Sequence, residues 1–526
     1  MANTISLSLF VIAIAIFFFS NLFPHTNAWD PLANRFHYDN ASLEKASKDY
    51  GNIVHLIPNS VFGPKCVRDI QSLICRKYNN YAHETNKTFA IRACGHSTWG
   101  QSQVLHGISI NVTSLNTTHE TRIKIFKDPI YGFTAHVGAE QQWLDVLWTT
   151  LKYNLTPVAW TDYLKESVGG TLSNAGISGQ ASKYGPQISN VYSLSVVTGK
   201  GEYKDCSPYQ NSDLFYGLLG GLGQFGVITS AQIRLIKAPT RAIATRFLYS
   251  NFSQFTHDQE YLISTNLPNY TEGFIIVNNI IPSGWITSNS SVNVSDVDGL
   301  LKKYNVLYAI ELAIYYDDQT VHTVNRLFQM LIGKLKFIPK FIFSEDVSYF
   351  DFLYRVGDLE PVDKGSSLAH PWLVILTGAS QKEKLNKYVL AGLLPTISQA
   401  PTIPIYYPLN ATKWSDKTSA VLPNEEIFYA LSLLHRSEPA NYKVFDDFNQ
   451  KVVQTHHGSS GPWTAHVGSA DGLVAEAARI NVLVVEKSRA LDDDGCDISR
   501  VEHWSRCQVT LLRSLARSHY LRALEY

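Results

Sequence analysis

The chain carries no net charge and little sulfur. Its six cysteines (Cys66, Cys75, Cys94, Cys206, Cys496 and Cys507) are too sparse for a disulfide scaffold, and none sits in a C-x-x-C or His/Cys pattern with metal-ligand spacing. No metal site is therefore expected. Basic and acidic residues number 45 each, so charge gives no reason to expect nucleic acid or an anionic membrane as partner. Internal repeats and low-complexity linkers are missing. Beyond the N-terminus no run is long and apolar enough to span a bilayer.

What the chain does have is length and apolar content. At 526 residues with 45% hydrophobic and 12% aromatic side chains, it can bury large cores, and two domains are expected. An apolar run from Ile5 to Phe19 leads to Thr26-Asn-Ala28, which reads as a signal peptide (residues 1–28) cut after Ala28. No Lys or Arg precedes the run, so a retained signal anchor is the alternative. Ten N-x-S/T sites, at Asn40, Asn86, Asn111, Asn116, Asn154, Asn251, Asn269, Asn289, Asn293 and Asn410, fit a secretory route and a secreted or luminal protein.

In chain order, Pro64 to Tyr78 has apolar residues at helical spacing, and Phe89 to Cys94 reads as a short strand running into Gly95-His96-Ser97. Residues 138–153 suggest an amphipathic helix with Trp143, Val146, Leu147 and Leu151 inward. From Trp160 to Gly199 comes a glycine-rich stretch with one conspicuous acid, Asp162, just upstream of Gly169, Gly170, Gly176, Gly179 and Gly185. Glycines at this density let backbone N–H groups approach a ligand, although tight turns between strands are the commoner reason for them. Val191 to Thr198 alternates like a strand.

Gly221 to Gly226 matches G-x-G-x-x-G, but a helical pattern precedes it and a strand pattern follows, the reverse of a dinucleotide site. A helix-to-strand turn is the better reading. Pro239 marks a boundary, after which Gly273–Val277, Val306–Tyr316, Trp372–Leu376 and a shorter Pro404–Pro408 read as strands, with a helix over Thr320–Leu335.

Gly95-His96-Ser97 together with Trp160–Gly199 resembles the cytokinin dehydrogenases, flavoproteins of the vanillyl-alcohol-oxidase type. The likeness also takes in Leu218–Thr229, Glu272-Gly-Phe, Asp346–Leu353, His370-Pro-Trp-Leu373 and Pro423–Tyr429. It implies an α+β protein: a PCMH-type FAD-binding domain at 29–240, an α+β substrate cap at 241–454, and a tail from 455. The implied reaction is oxidative cleavage of N6-isoprenoid adenines to adenine and an aldehyde, with a quinone-type acceptor or O₂ taking the electrons. His96 would hold FAD covalently. Gly95, Ser97, Gln101, Ser167, Ser173, Ile177 and Ile228 match cofactor-contacting positions. Asp162 would be the base at the substrate nitrogen, and Glu272 would face the purine edge. By themselves, Asp162 could cap a turn of helix and Glu272 could be an exposed strand-end charge. Trp372 could pack on substrate or in a core.

Three departures from the family stand out. Ala93 and Cys94 occupy positions usually held by Gly and Arg, and Val374 stands where an Asn is common. Past about Val453 the likeness fades, and a poorly packed tail over 455–526 is expected. Two alternatives follow: a related flavin oxidase of alcohols or sugars, and a catalytically dead relative.

Overall fold

The computed structural model describes residues 31–79, 88–115, 122–277, 294–357, 368–397, 402–457 and 464–466. The signal segment, four of the N-x-S/T sites (Asn86, Asn116, Asn289, Asn293) and two cysteines (Cys496, Cys507) lie outside the described residues.

The described strands form three sheets. The first is small and mixed, in the order β1 (Phe36–His37), β2 (Ser60–Phe62), β4 (Ile108–Asn111), β3 (Phe89–Arg92), with β2 and β3 both parallel to β4. The helix Val67–Asn79 lays Ile70, Leu73 and Ile74 against Phe62 and Ile110, as the i, i+3, i+4 pattern requires.

The second sheet is antiparallel, in the order β5 (Ile123–Asp128), β6 (Gly132–Gly138), β10 (Val227–Lys237), β8 (Val191–Val197), β9 (Tyr203–Cys206). The short β7 (Leu155–Pro157) pairs with the far end of β10. The expected helix at 138–153 is confined to Trp143–Leu151, because the residues before it belong to β6 and a turn. Helix Ser212–Leu218 precedes the G-x-G-x-x-G segment and β10 follows it, so that segment is a helix-to-strand turn.

Past Pro239 an eight-stranded antiparallel sheet begins. Its order is β14 (Ile342–Ser348), β11 (Arg241–Tyr249), β13 (Leu307–Tyr316), β12 (Tyr270–Ile276), β16 (Thr402–Asn410), β17 (Ile427–His435), β15 (Leu373–Gly378), β18 (Thr464–His466). Along β13 the two-residue alternation sends Ile310, Leu312 and Ile314 to helices Phe252–Thr265 and Val321–Ile332, and sends Glu311 and Ala313 to the opposite face. β16 runs longer than its Pro-bounded core suggests. Pro404 and Pro408 have no N–H to give, and the β12–β16 register is held at Phe274 opposite Ile405. Gln259 reaches into this seam and donates its Nε2 hydrogen to the Tyr406 carbonyl at 2.9 Å.

The two units share a core. Trp143, Trp160 and Leu172 from before Pro239 lie in one apolar cluster with Tyr349, Phe352, Tyr407 and Leu409 from after it. Order continues past 454 in two pieces, the end of helix Tyr442–His457 and β18 on the β15 edge. The remainder of the tail, on which the expectation of loose packing rests, lies outside the described residues.

Candidate active site

His96 follows β3 through Gly95, whose φ of 74° is left-handed, so a Cβ there would be strained and would also meet the Arg92 guanidinium. The His96 ring is held in a column of rings: Tyr163 on one face with centroids 4.7 Å apart, Tyr50 on the other at 4.1 Å, and His370 beyond Tyr50 at 4.1 Å. Trp372 meets Tyr50 and His96 edge-on. The Glu166 carboxylate lies 3.3 Å from His96 Nδ1, yet neither ring nitrogen, both buried, completes a hydrogen bond among the described residues.

Behind the ring, buried Asp49 accepts hydrogen bonds from Ser97 Oγ at 2.8 Å, the Gly100 N–H at 2.7 Å and the Asn52 N–H at 3.2 Å. Burial raises the Asp49 carboxyl against those bonds. Ser97 also meets Ser102, and Gln101 accepts from the Trp99 N–H. The Ser97 hydroxyl is fully used, since it also accepts from the Ser102 N–H at 3.3 Å, whereas Gln101 keeps its amide N–H groups for a ligand.

Ala93 takes no left-handed backbone angle, and its methyl packs against the first-sheet core, so replacing glycine there brings no strain of that kind. Cys94 has solvent access within a wall of protein, and burial together with the Glu166 charge raises its thiol. It is a thiol, not a thiolate nucleophile.

Asp162 sits in the turn after β7. The next helix begins at Val168 with Ser167 as N-cap, so Asp162 caps no helix. Ser167 is buried, Ser173 Oγ donates to the Gly169 carbonyl at 2.7 Å, Ile177 packs on the shared core, and Ile228 lies on β10 opposite Val196. The glycine run serves packing as much as ligand approach. At Gly179 a Cβ would strike the Tyr270 ring at 2.8 Å, and its carbonyl accepts the Thr271 N–H.

Tyr270 ties this run to the acid. Its O–H donates to Asp162 Oδ1 at 3.1 Å, and Arg355 donates to the same oxygen at 3.3 Å. Two residues on along β12, Glu272 is only 1% exposed, which removes the reading of an exposed strand-end charge. It stands opposite Glu311 on β13, and Glu311 stands opposite Arg246 on β11. Arg246 binds Glu311 at 2.7 Å and Glu345 at 2.8 Å, while Arg355 reaches Glu311 at 3.3 Å. Charges therefore alternate from the sheet edge to the site: Glu345, Arg246, Glu311, Arg355, Asp162.

Glu272 is the member that breaks the alternation. Burial pushes its carboxyl well above the usual range, and the Asp162 charge beside it adds to the effect. Burial raises Asp162 too, and Arg355 and a hydrogen bond with Glu272 draw it only part of the way back, so it stays above the ordinary carboxylate range. For Glu311 burial also opposes ionisation, and Arg246 and Arg355 together outweigh it, leaving its carboxyl lower than ordinary. Two carboxylates side by side cannot both be charged without large cost, and burial favours the proton on Glu272, which is fully enclosed, over Asp162, whose side chain is 29% exposed.

The residues before Pro239 match the family model described as "FAD binding domain" over 58–207. Those after it match "Cytokinin dehydrogenase 1, FAD and cytokinin binding" over 239–462. Cytokinin dehydrogenase 3 of Arabidopsis thaliana is 38% identical, with 84% of this chain and 87% of that one covered. The chain belongs to the cytokinin dehydrogenase family. Cytokinin dehydrogenase 10 of Oryza sativa subsp. japonica is also 38% identical, over 85% of this chain and 86% of its own. Among solved structures, a VAO-type flavoprotein from Myceliophthora thermophila shares the fold at TM-score 0.57 and 17% identity, covering 79% of this chain and 73% of that one.

As in a cytokinin dehydrogenase, FAD fits the residues present. The two unsatisfied His96 nitrogens, Trp372 Nε1 beside them and Glu272 Oε1 are buried polar atoms without partners among the described residues. The family resemblance singled out His96 and Glu272 and gave a role to Asp162, the conspicuous acid before the glycine run. It did not reveal Tyr50, Tyr270, Arg246, Glu311 or Arg355. One signal was available: Glu311 is a lone acid inside the apolar strand Leu307–Tyr316, which a buried partner must explain.

Proposed function

We propose that this cytokinin dehydrogenase family member oxidises N6-isoprenoid adenines to adenine and an aldehyde, with FAD bound covalently through His96. The observation that carries the reading is the Asp162–Glu272 pair, placed beside Tyr163, whose ring stacks on His96. FAD supplies a hydride acceptor for the carbon attached to N6.

The protein's part is orientation and proton handling. The Asp162 carboxylate, fixed by Tyr270 and Arg355, accepts a hydrogen bond from the substrate N6–H and takes that proton as the carbon attached to N6 gives up its hydride, leaving a C=N bond for water to cleave. Glu272 keeps its proton toward Asp162 and offers its unpartnered Oε1 as an acceptor, a group suited to a purine ring N–H. Trp372 closes the cleft edge-on to His96. Water then releases the aldehyde, and electrons leave to a quinone-type acceptor or O₂. Export through the N-terminal signal, glycosylation and an extracellular location such as the apoplast belong to the same reading and are supported by the apolar run and the N-x-S/T sites.

The test is incubation of the secreted protein with N6-isopentenyladenine and a quinone acceptor. Adenine and the C5 aldehyde are expected in equal amounts. Turnover of a primary alcohol or sugar in their place would sink the reading, and a colourless protein would favour a dead relative.

A further inference from the structure

The alternating charges beneath Asp162 have a direction. Glu345 lies on the edge strand β14, Arg246 on β11, Glu311 on β13 and Asp162 on the opposing unit, so the row crosses the sheet from rim to cleft. Arg355 is the link that leaves the sheet. It follows helix Tyr349–Tyr354, and one guanidinium nitrogen meets Asp162, Tyr270 and Glu311 together. The rings of Tyr270 and Phe352 flank its carbon at 4.8 and 4.5 Å, which fixes its plane.

We propose that Arg355 is a positioning residue that decides which carboxyl of the Asp162–Glu272 pair carries the proton, with Glu311 as its counter-anchor. Arg355 touches Asp162 directly. With Arg355 in place, the ionised member of the pair is the one at the cleft, where a base is needed, and the protonated member is the one in the sheet. The groups facing the pair are Tyr270 from β12, Glu311 from β13, Tyr407 from β16 and Arg355 itself. Arg246 and Glu345 stand one shell further out behind Glu311. Tyr407 is buried and neutral, so the charges that count are Arg355 and Glu311. The inference rests on the reading of Asp162 as the base.

Charge arithmetic makes a test that a structural role would not pass. Removing the cation in Arg355→Gln makes Asp162 easier to protonate, so the acid limb of the kcat/KM pH profile moves up by about one pH unit or more. Arg355→Lys keeps the charge and restores at least half of that shift. Removing the anion in Glu311→Gln leaves Arg355 undivided for Asp162 and moves the limb down. Opposite shifts in the two neutral variants are the expected signature. If Arg355→Gln does not fold, Glu311→Gln decides alone. A limb unmoved in the variants that fold, with loss equal at all pH values, overturns the proposal. A wild-type enzyme inactive on N6-isopentenyladenine overturns the underlying reaction, which is a separate result.

Discussion

At the scale of single residues, His96 and the carboxyl pair can be tested apart. His96→Ala removes the proposed attachment atom, and flavin colour should then leave the protein on acid precipitation. Retained colour would place the bond elsewhere. Asp162→Asn keeps the shape but removes the base, and a fall in kcat of about 10²–10⁴ is expected in steady-state assays with the flavin content unchanged. Glu272 gives a stability prediction. Its folded carboxyl lies well above the ordinary value of 4.5, so between those two values the folded protein binds more protons than the unfolded chain. Stability from this group is full below 4.5 and is lost as pH rises toward the folded value, with a slope of about 1.4 kcal/mol per pH unit. Glu272→Gln should therefore gain stability over wild type as pH increases in urea melts. Parallel curves would show that Glu272 is ionised in the fold. Asn269 supplies a further check. Its amide donates to the Tyr184 hydroxyl and its carbonyl accepts from the Tyr315 N–H, so peptide mapping of secreted protein should find it unmodified while exposed Asn154 carries glycan.

At the scale of elements, Gly273 explains why Glu-Gly-Phe is a unit. A Cβ at Gly273 would stand 2.2 Å from Gln259 Nε2 and 2.3 Å from the Tyr406 carbonyl. Glycine there lets the Gln259 side chain bridge a seam that Pro404 and Pro408 leave short of N–H donors. Gly273→Ala should destabilise by about 1–3 kcal/mol through forced displacement of that bridge, measured by denaturant unfolding. Most elements were legible because their apolar spacing is strong: helix Val67–Asn79, strands β8 and β13, and the helix-to-strand turn at Gly221–Gly226 follow from periodicity. Helix Phe252–Thr265 escaped because its buried face includes Thr256, Asp258 and Gln259, which interrupt the apolar stripe. The site was legible only in part for a related reason. Periodicity marks which residues go inward, and it cannot say that Glu311 and Glu272 come opposite each other in register 39 residues apart, because that depends on strand pairing. Arg355 belongs to neither pattern. It arrives at Asp162 only because a helix end of one unit docks on a turn of the other.

At the scale of the molecule, the boundary at Pro239 divides the family models but not the apolar core. Tyr349, Phe352 and Tyr407 pack among Trp143, Trp160 and Leu172. Scanning calorimetry of the full chain is expected to show one cooperative transition, and two resolved transitions would mean that the units are independent. The ring column makes the same junction stiff at the cleft. Tyr163, His96 and Tyr50 come from one unit and His370 from the other, while the His370 N–H binds the Gly51 carbonyl and Trp99 Nε1 binds the Trp372 carbonyl. Parting the units would unstack those rings, separate Asp162 from Arg355 and wet the shared core. A hinge between the halves would therefore carry all three costs at once, so a molecule that reaches Asp162 is expected to do so with the two units closed on each other.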